Sequence, residues 1–461
     1  MNTPYLIAAR AVLACVGAAF VSQFAWAGIP IQHWTQPSGA RVYLVESPAI
    51  PMVDVQIDLD AGARRDPADK PGLANLMASG TSYGLRASSA GPALNENQLS
   101  EAWADLGASF GGAANADRMS FTLRSLTYPD LLDKAVALAA RELGEPAFPE
   151  APWLRDRPKM IASIKEANTR PATLAGRAFS QAIYGSHPYG YEVTEASLMR
   201  IQVQDVRALH ASVIRACAAQ VSIVGALNRA QADALVTRLL SRVPQGSCSA
   251  GPSAITPPAV TGAAEMPDVP EVAPLQAASE QRIAFASAQA HVLLGQPGYR
   301  RSDPDFFALT AGNHILGGGG FTSRLTEEVR AKRGLTYSVY SYFAPGKHAG
   351  AFTIGLQTRP DQAEQALTLV REVLSNFVEQ GPTEQELQAA KDNLIGGFAL
   401  RLDSNKKLLD NVANIGWNAL PLDYLDTWTQ RVERLTVAEV RAAMARKLQP
   451  ARMATVVLGA Q

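Results

Sequence analysis

The feature that most constrains the fold is a repeated order of short motifs along the 461-residue chain. Four motif pairs keep the same order at nearly constant spacing, starting at Arg64 and Arg300, Thr127 and Thr358, Val203 and Val437, and Val221 and Thr455. A single match could arise by chance, but four collinear matches predict a duplicated domain. We therefore expect two halves built from the same elements in the same order.

A segment rich in Pro, Ala, Gly and Ser separates the two copies, from Pro244 to Ala278. It has no helical or strand periodicity, so we expect an extended connection. The predicted division is residues 28–245 for the first half, 246–278 for the linker and 279–461 for the second half.

Strand and helix patterns alternate within each half. Met52–Gly62 alternates apolar and polar residues, as a half-buried strand does. A further strand is predicted over 118–126, and helices are predicted from about Gly72, over 95–106, over 129–143 and from Pro360. Two more helices begin at capping boxes, Thr383 with Glu386 and Thr436 with Glu439. These patterns predict an α+β fold of two homologous α/β-roll halves, each with a mixed or antiparallel sheet and helices on one face.

The N-terminus has the pattern of a signal peptide over residues 1–27. Arg10 lies early, an apolar run follows, and Ala25-Trp26-Ala27 forms an A-x-A cleavage pattern. An uncleaved anchor is the alternative, but the apolar run is short and contains Ser22 and Gln23. A lipid anchor on Cys15 is less favoured, because apolar sequence continues well past it. We expect an exported protein, periplasmic in a Gram-negative host.

The charge balance argues against some classes of binding partner, and the cysteine content bears on a possible disulfide. Lys+Arg and Asp+Glu number 42 each, so no overall basic field favours nucleic acid or an anionic membrane. No segment after the signal has the ~18 consecutive apolar residues of a spanning helix. Signal removal leaves Cys217 and Cys248, which an oxidising compartment allows to pair; two unpaired thiols are the alternative.

With this organisation, the phrase Gly72-Leu73-Ala74 resembles the start of the zinc helix of the pitrilysin (insulinase) family of zinc peptidases. The resemblance covers the chain after the signal and implies two α/β halves. In that family the helix bears His-x-x-Glu-His, with a Glu on a later helix as third ligand. Here Asn75 and Ser79 stand at the histidine positions and Ala78 at the general base.

The third ligand position falls at Ser163 by the same resemblance, with Glu166 as the alternative register. One Glu with neutral Asn and Ser does not make a zinc site. None of the six histidines forms H-x-x-E-H, and Cys-x-x-Cys is absent from the sequence. We therefore expect no metal or other cofactor on this chain.

Arg330 and Tyr337, seven residues apart, match a pair that in the family reaches the substrate from the second half. The resemblance implies hydrogen bonds to the peptide carbonyl, since guanidinium and phenol donors suit a developing oxyanion. Two structural alternatives stay open. Arg330 could simply meet a helix C-terminus, and Tyr337, which alternates with Leu335 and Val339, could face the core.

Residues 107–121 are rich in Gly and Ala and correspond to an exposed edge strand to which peptide adds in the family. A strand weakened by glycine is the equal alternative. Together these features predict a non-catalytic subunit that binds unfolded peptide and completes, in a heterodimer, the active site of a zinc-bearing partner. No peptidase activity is expected from this chain alone. A purely structural or peptide-holding protein of the same fold is the alternative.

Overall fold

The structure is a computed structural model that describes residues 28–245, 248 and 269–459. The predicted signal peptide, residues 1–27, and most of the predicted linker lie outside the described residues. No helix of the described part combines the length and the apolar character needed to cross a membrane.

The first half is built on a six-stranded sheet with the order β1-β2-β8-β3-β7-β6. Its strands are β1 (Gln32–Thr35), β2 (Arg41–Glu46), β3 (Met52–Leu59), β6 (Ser109–Ala114), β7 (Met119–Leu126) and β8 (Gln220–Gly225); a small separate hairpin pairs β4 (Gly84–Leu85) with β5 (Leu94–Asn95). Only β2 and β8 run parallel; the other neighbours are antiparallel.

The second half repeats this topology in five strands, in the order β11-β12-β10-β13-β9. The strands are β9 (Ser279–Ile283), β10 (Ala290–Pro297), β11 (Ser338–Phe343), β12 (Ala351–Thr358) and β13 (Ala454–Leu458). Here too one pair is parallel, β13 with β9, and it occupies the place of β8 with β2. The shared order and direction confirm two homologous halves.

The helices flank these sheets. In chain order they are α1 (Leu73–Gly80), α2 (Glu96–Asp105), α3 (Pro129–Gly144), α4 (Glu150–Ala167), α5 (Pro171–Tyr184), α6 (Glu195–Arg200), α7 (Val203–Val213), α8 (Arg229–Leu239), α9 (Phe306–Asn313), α10 (Ala363–Gln380), α11 (Glu384–Gly396), α12 (Asn405–Trp417), α13 (Tyr424–Glu433) and α14 (Val437–Lys447). Both predicted capping boxes are present, at Thr383 with Glu386 and at Thr436 with Glu439.

One helix of each half packs on the sheet of the other half. α5 lies on β10 and β13, where Phe179 covers Gly295 so closely that a Cβ there would stand 2.8 Å from the ring. α12 lies on β8 and β3, and Gln220 donates from β8 to the carbonyl of Ala413 (3.2 Å). Burial of these faces ties the halves together, which sequence periodicity did not predict.

A polar junction also joins the halves. Asp117 accepts hydrogen bonds from the Tyr189 phenol and from the backbone N–H of Lys347 (2.8 Å). His187 accepts a hydrogen bond from the N–H of Tyr189 at Nδ1 and donates one to the carbonyl of Pro270 at Nε2. The end of the predicted linker therefore packs against folded structure.

Two local expectations are modified. The sequence between the glycine run and Gly334 also predicts a helix, starting near Thr322. The structure instead has a 3-10 turn, Gly320–Thr322, and then a π-helical turn, Thr326–Ala331, in which the N–H of Lys332 donates to the carbonyl of Glu327 (2.9 Å). The helix expected from Pro360 begins there as a 3-10 turn that leads into α10. Finally, Cys217 and Cys248 form a disulfide.

Candidate functional site

The start of α1 is fixed by a glycine and a buried carboxylate. Gly72 adopts φ 103°, a left-handed conformation that glycine takes without strain. Asp66 accepts hydrogen bonds from the N–H groups of Gly72 (2.8 Å) and Ala74 (2.9 Å). Burial raises the pKa of Asp66 to about 6, against the lowering effect of these N–H groups. The Gly-Leu-Ala phrase is thus retained because it positions the helix.

A second buried carboxylate lies behind the end of α1. Glu142 of α3 accepts a hydrogen bond from the indole N–H of Trp103 (2.8 Å), and its other carboxyl oxygen lies 3.5 Å from the hydroxyl of Thr81. The hydroxyl of Thr81 also donates to the carbonyl of Ala78. Burial raises the pKa of Glu142 to about 7. Sequence reasoning missed Glu142, because only the fold brings it to this helix.

The three positions of the family's motif carry other interactions in this chain. The Oδ1 atom of Asn75 accepts a hydrogen bond from the N–H of Ala114 (3.2 Å), at the end of β6. Ser79 donates to the carbonyl of Asn75 (2.8 Å), a bond within the helix. Ala78 is fully buried, and a Cβ at Gly112 would lie 2.5 Å from its carbonyl oxygen. Gly112 therefore permits α1 to approach β6 closely.

β6 is an edge strand, one of the two alternatives left open by the family resemblance, and it pairs only with β7 among the described residues. The backbone N–H of Asn115 donates to the carbonyl of Arg118 and so points toward β7. Because successive residues of an antiparallel strand alternate in direction, the backbone N–H and C=O groups of Phe110, Gly112 and Ala114 point to the open edge. One of these groups, the N–H of Ala114, is already hydrogen-bonded to the side chain of Asn75. The side of Gly111 is open, with nothing within 4 Å of a Cβ placed there.

The predicted third-ligand positions lie on α4. Ser163 and Glu166 are both exposed, and Glu166 stands 3.9 Å from Arg170. Sequence reasoning missed another carboxylate on this helix, Asp156, which hydrogen-bonds with Tyr83 just beyond α1. Arg155 and Lys159 pair with Asp156 and lower its pKa.

These donors do not fit zinc. The amide oxygen of Asn75 is used by Ala114, Ser79 is bonded within its helix, and Ala78 has no donor. Across the described residues, no group of three or more His, Cys, Asp and Glu side chains is arranged to hold a metal ion. The predicted motif positions on α1 and α4 therefore lack the imidazole, thiolate or several carboxylate ligands that a zinc site needs.

Of the second candidate pair, Arg330 lies in the π-helical turn and Tyr337 in the loop that enters β11, an edge strand of the second sheet. The N–H of Leu335 donates to the carbonyl of Val329 (3.0 Å), and Gly334 adopts φ 61°, which closes the turn after Arg330. Leu335 and Thr336 point inward and are buried. Tyr337 is consequently turned outward.

Tyr337 is 85% exposed, so the alternative that it faces the core is wrong. Arg330 has no carboxylate within 4.0 Å among the described residues, and its guanidinium lies 4.7 Å from the ring centre of Phe321. Phe321 is itself 77% exposed. Sequence reasoning missed Phe321, although a large apolar residue directly after a glycine run is a usable signal.

The glycine run before Phe321 has a packing role. A Cβ at Gly317 would lie 2.5 Å from the hydroxyl of Ser341, and one at Gly319 would lie 2.6 Å from the carbonyl of His314. Gly320 has φ 62°. The run therefore makes a tight entry that holds Phe321 at the surface, beside Arg330.

Comparison with known proteins gives the family. Residues 41–197 match the insulinase family (peptidase family M16), and residues 200–394 match the peptidase M16 inactive domain. A crystal structure of a peptidase M16 inactive domain from Pseudomonas fluorescens has a TM-score of 0.83 and 32% identity, covering 94% of this chain and 98% of that one.

Two curated relatives agree with this result. A non-peptidase homolog, YmxG, of Helicobacter pylori is 26% identical and covers 67% of this chain and 68% of its own. An uncharacterized zinc protease of Streptomyces coelicolor is 36% identical over 156 residues, which is 33% of each protein. The chain belongs to peptidase family M16, with the fold of its inactive members.

Proposed function

We propose that this protein is a non-catalytic subunit of an exported M16 peptidase. It would bind unfolded peptide and place Arg330 and Tyr337 at an active site whose zinc is held by a partner chain. The observation that carries the proposal is a contrast between the start of the first half's helix α1 and the Arg330–Tyr337 region of the second half. The α1 positions predicted to match the zinc motif make hydrogen bonds and packing contacts within this chain, whereas Tyr337 faces outward and Arg330 has no ion-pair partner among the described residues.

The chemistry of the two side chains supports this role. An arginine without a carboxylate partner keeps its donors available for a peptide carbonyl. Tyr337 offers a neutral O–H donor from a loop fixed by buried neighbours, so little ordering is needed when a substrate arrives. The open edge of β6 offers main-chain pairing that tolerates many peptide sequences.

Export is part of the proposal. The pattern of residues 1–27 supports it, as does the pairing of Cys217 with Cys248, because disulfides persist mainly in oxidising compartments. Fractionation of cells followed by N-terminal sequencing tests this part, and a mature protein that begins after Ala27 is expected.

The decisive experiment is reconstitution with an M16 chain from the same host that contains His-x-x-Glu-His. We expect no zinc and no peptide hydrolysis from the purified chain alone, and hydrolysis from the mixture. Arg330→Gln and Tyr337→Phe should each lower kcat/KM of the mixture by about 10- to 100-fold. Arg333→Gln is the matched control, since Arg333 lies in the same turn and pairs with Glu328 (2.6 Å).

The alternative is a structural or peptide-holding protein of the same fold with no catalytic role. If the mixture keeps full activity when both Arg330 and Tyr337 are replaced, that alternative is favoured. Stoichiometric zinc or peptidase activity in this chain alone would refute both.

A further inference from the structure

A cavity of about 600 Å³ opens on the first half, between the end of α3, helix α7 and the segment after α8. Three arginines line it, Arg86, Arg207 and Arg242, together with His210, and its described lining contains no carboxylate. The chain as a whole is balanced at 42 basic and 42 acidic residues, so this lining is a local concentration of positive charge.

The arginines are held in place by backbone carbonyls. One Nη of Arg86 donates to the carbonyl of Gly144 (3.1 Å), and one Nη of Arg207 donates to that of Phe148 (2.9 Å). Across the described residues, neither guanidinium has a carboxylate within 4.0 Å. A guanidinium carries five N–H donors, so each side chain is positioned by one bond and keeps others for a ligand.

The third arginine and the histidine differ from this pair. Arg242 is partly engaged, with Ser89 at 3.2 Å and Glu145 at 3.6 Å. His210 donates from Nε2 to the carbonyl of Leu143 (2.8 Å). Burial, and then the positive charge of Arg86, lowers the pKa of His210. The His210 imidazole therefore lines the cavity without adding charge, next to the guanidinium groups of Arg86 and Arg207.

The rest of the wall is apolar. Phe148 is buried, meets the ring of His210 edge-on at 5.4 Å, and holds φ 44°, a conformation that costs free energy in a non-glycine residue. Ile214 and Val243 add aliphatic surface. Concave sites of this size that combine apolar walls with a few fixed polar groups are typical of small-molecule sites.

We propose that this cavity binds a small organic carboxylate with an apolar body, whose charge meets Arg86 and Arg207 and whose apolar part lies against Phe148 and Ile214. Two planar guanidinium groups match the geometry of a carboxylate. None of the cavity's described lining residues belongs to α1, to β6 or to the turn of Arg330, so the proposed ligand site uses residues separate from the peptide-binding ones.

Titration calorimetry of the whole mature protein with octanoate tests the proposal, with octanamide as the uncharged probe and inorganic phosphate as the charge without an apolar body. We expect octanoate to bind at least about tenfold more tightly than either, and more weakly as salt increases. Arg86→Gln and Arg207→Gln should each weaken octanoate binding by about tenfold. Arg200→Gln, an exposed arginine of the same half that is not on the cavity, should leave it unchanged.

A second variant keeps the test valid if an arginine substitution disturbs folding. Ala211→Trp, at an exposed position of α7 on the cavity wall, leaves both arginines in place and should block octanoate by filling the space. Absence of octanoate binding at millimolar concentration, equal affinity for octanamide, or unchanged binding in Ala211→Trp and both arginine variants would each overturn the proposal.

Discussion

The side-chain oxygen of Asn75 accepts a hydrogen bond from the backbone N–H of Ala114, at 3.2 Å. This contact joins the first of the predicted motif positions to the edge strand that is the candidate peptide-pairing surface. An amide at this position therefore satisfies an edge group that would otherwise face solvent or a peptide. Asn75 therefore has a structural contact at a position that the family resemblance predicts to correspond to a zinc ligand.

Asn75→Ala should release the N–H of Ala114. We expect faster hydrogen–deuterium exchange at the end of β6 and a loss of stability of about 1 kcal/mol, because one partly exposed hydrogen bond is removed. Mass spectrometry of peptides that cover residues 109–118 measures the exchange. Ser79→Ala is the control, since its bond lies within α1; if both variants exchange alike, the contact has no role.

Glu142→Gln should stabilise the protein in alkaline but not in acidic solution. The folded protein raises the pKa of Glu142 to about 7 from an ordinary 4.5. The folded state therefore holds this proton more tightly, and the associated stability is complete below pH 4.5 and is lost as pH rises through 7. Glutamine does not ionise, so the variant should be more stable than the parent by about 2–3 kcal/mol at pH 8.

Denaturant unfolding of both proteins at pH 4.5 and pH 8 measures this difference. The two should differ by less than about 0.5 kcal/mol at pH 4.5, where the folded parent carboxyl is protonated and the unfolded one is about half protonated. Equal stabilities at pH 8 would show that Glu142 does not carry the cost of a buried charge.

Tyr189→Phe should weaken the junction between the halves. The phenol donates to Asp117 and accepts from the backbone N–H of His348 (3.1 Å), so its removal leaves two groups short of a partner. We expect a loss of about 1–3 kcal/mol in unfolding free energy and faster exchange in the hairpin of residues 344–350. Tyr191→Phe, two residues away, is the control.

Reduction of the disulfide should lower the melting temperature. The bond closes a segment with a sequence separation of 31 residues, and the chain-entropy relation gives about 3.7 kcal/mol of stabilisation for a loop of that length. Calorimetry of the protein with and without reductant measures the shift, and Cys217→Ser should reproduce it without reductant. An unchanged melting temperature in Cys217→Ser would contradict the expectation.

Much of the candidate site followed from side-chain identity alone. Asn75, Ala78 and Ser79 lack the groups that bind zinc, whatever fold surrounds them. The capping boxes at Thr383 and Thr436 were equally predictable, because their partners lie three residues away. The exposure of Tyr337 was open in the sequence, since an alternating pattern fits either face of a strand until its neighbours are known.

The sequence by itself determined the duplication, most helix and strand positions, and the absence of a metal motif. These properties depend on local patterns and on the chemistry of single residues. Tertiary structure decided the crossed packing of α5 and α12, the Cys217–Cys248 pair, the bond of Asn75 to Ala114, and the cluster of Arg86 with Arg207. Each of these joins residues that are far apart in the chain, and such contacts depend on which faces pack together, which periodicity along the sequence does not record.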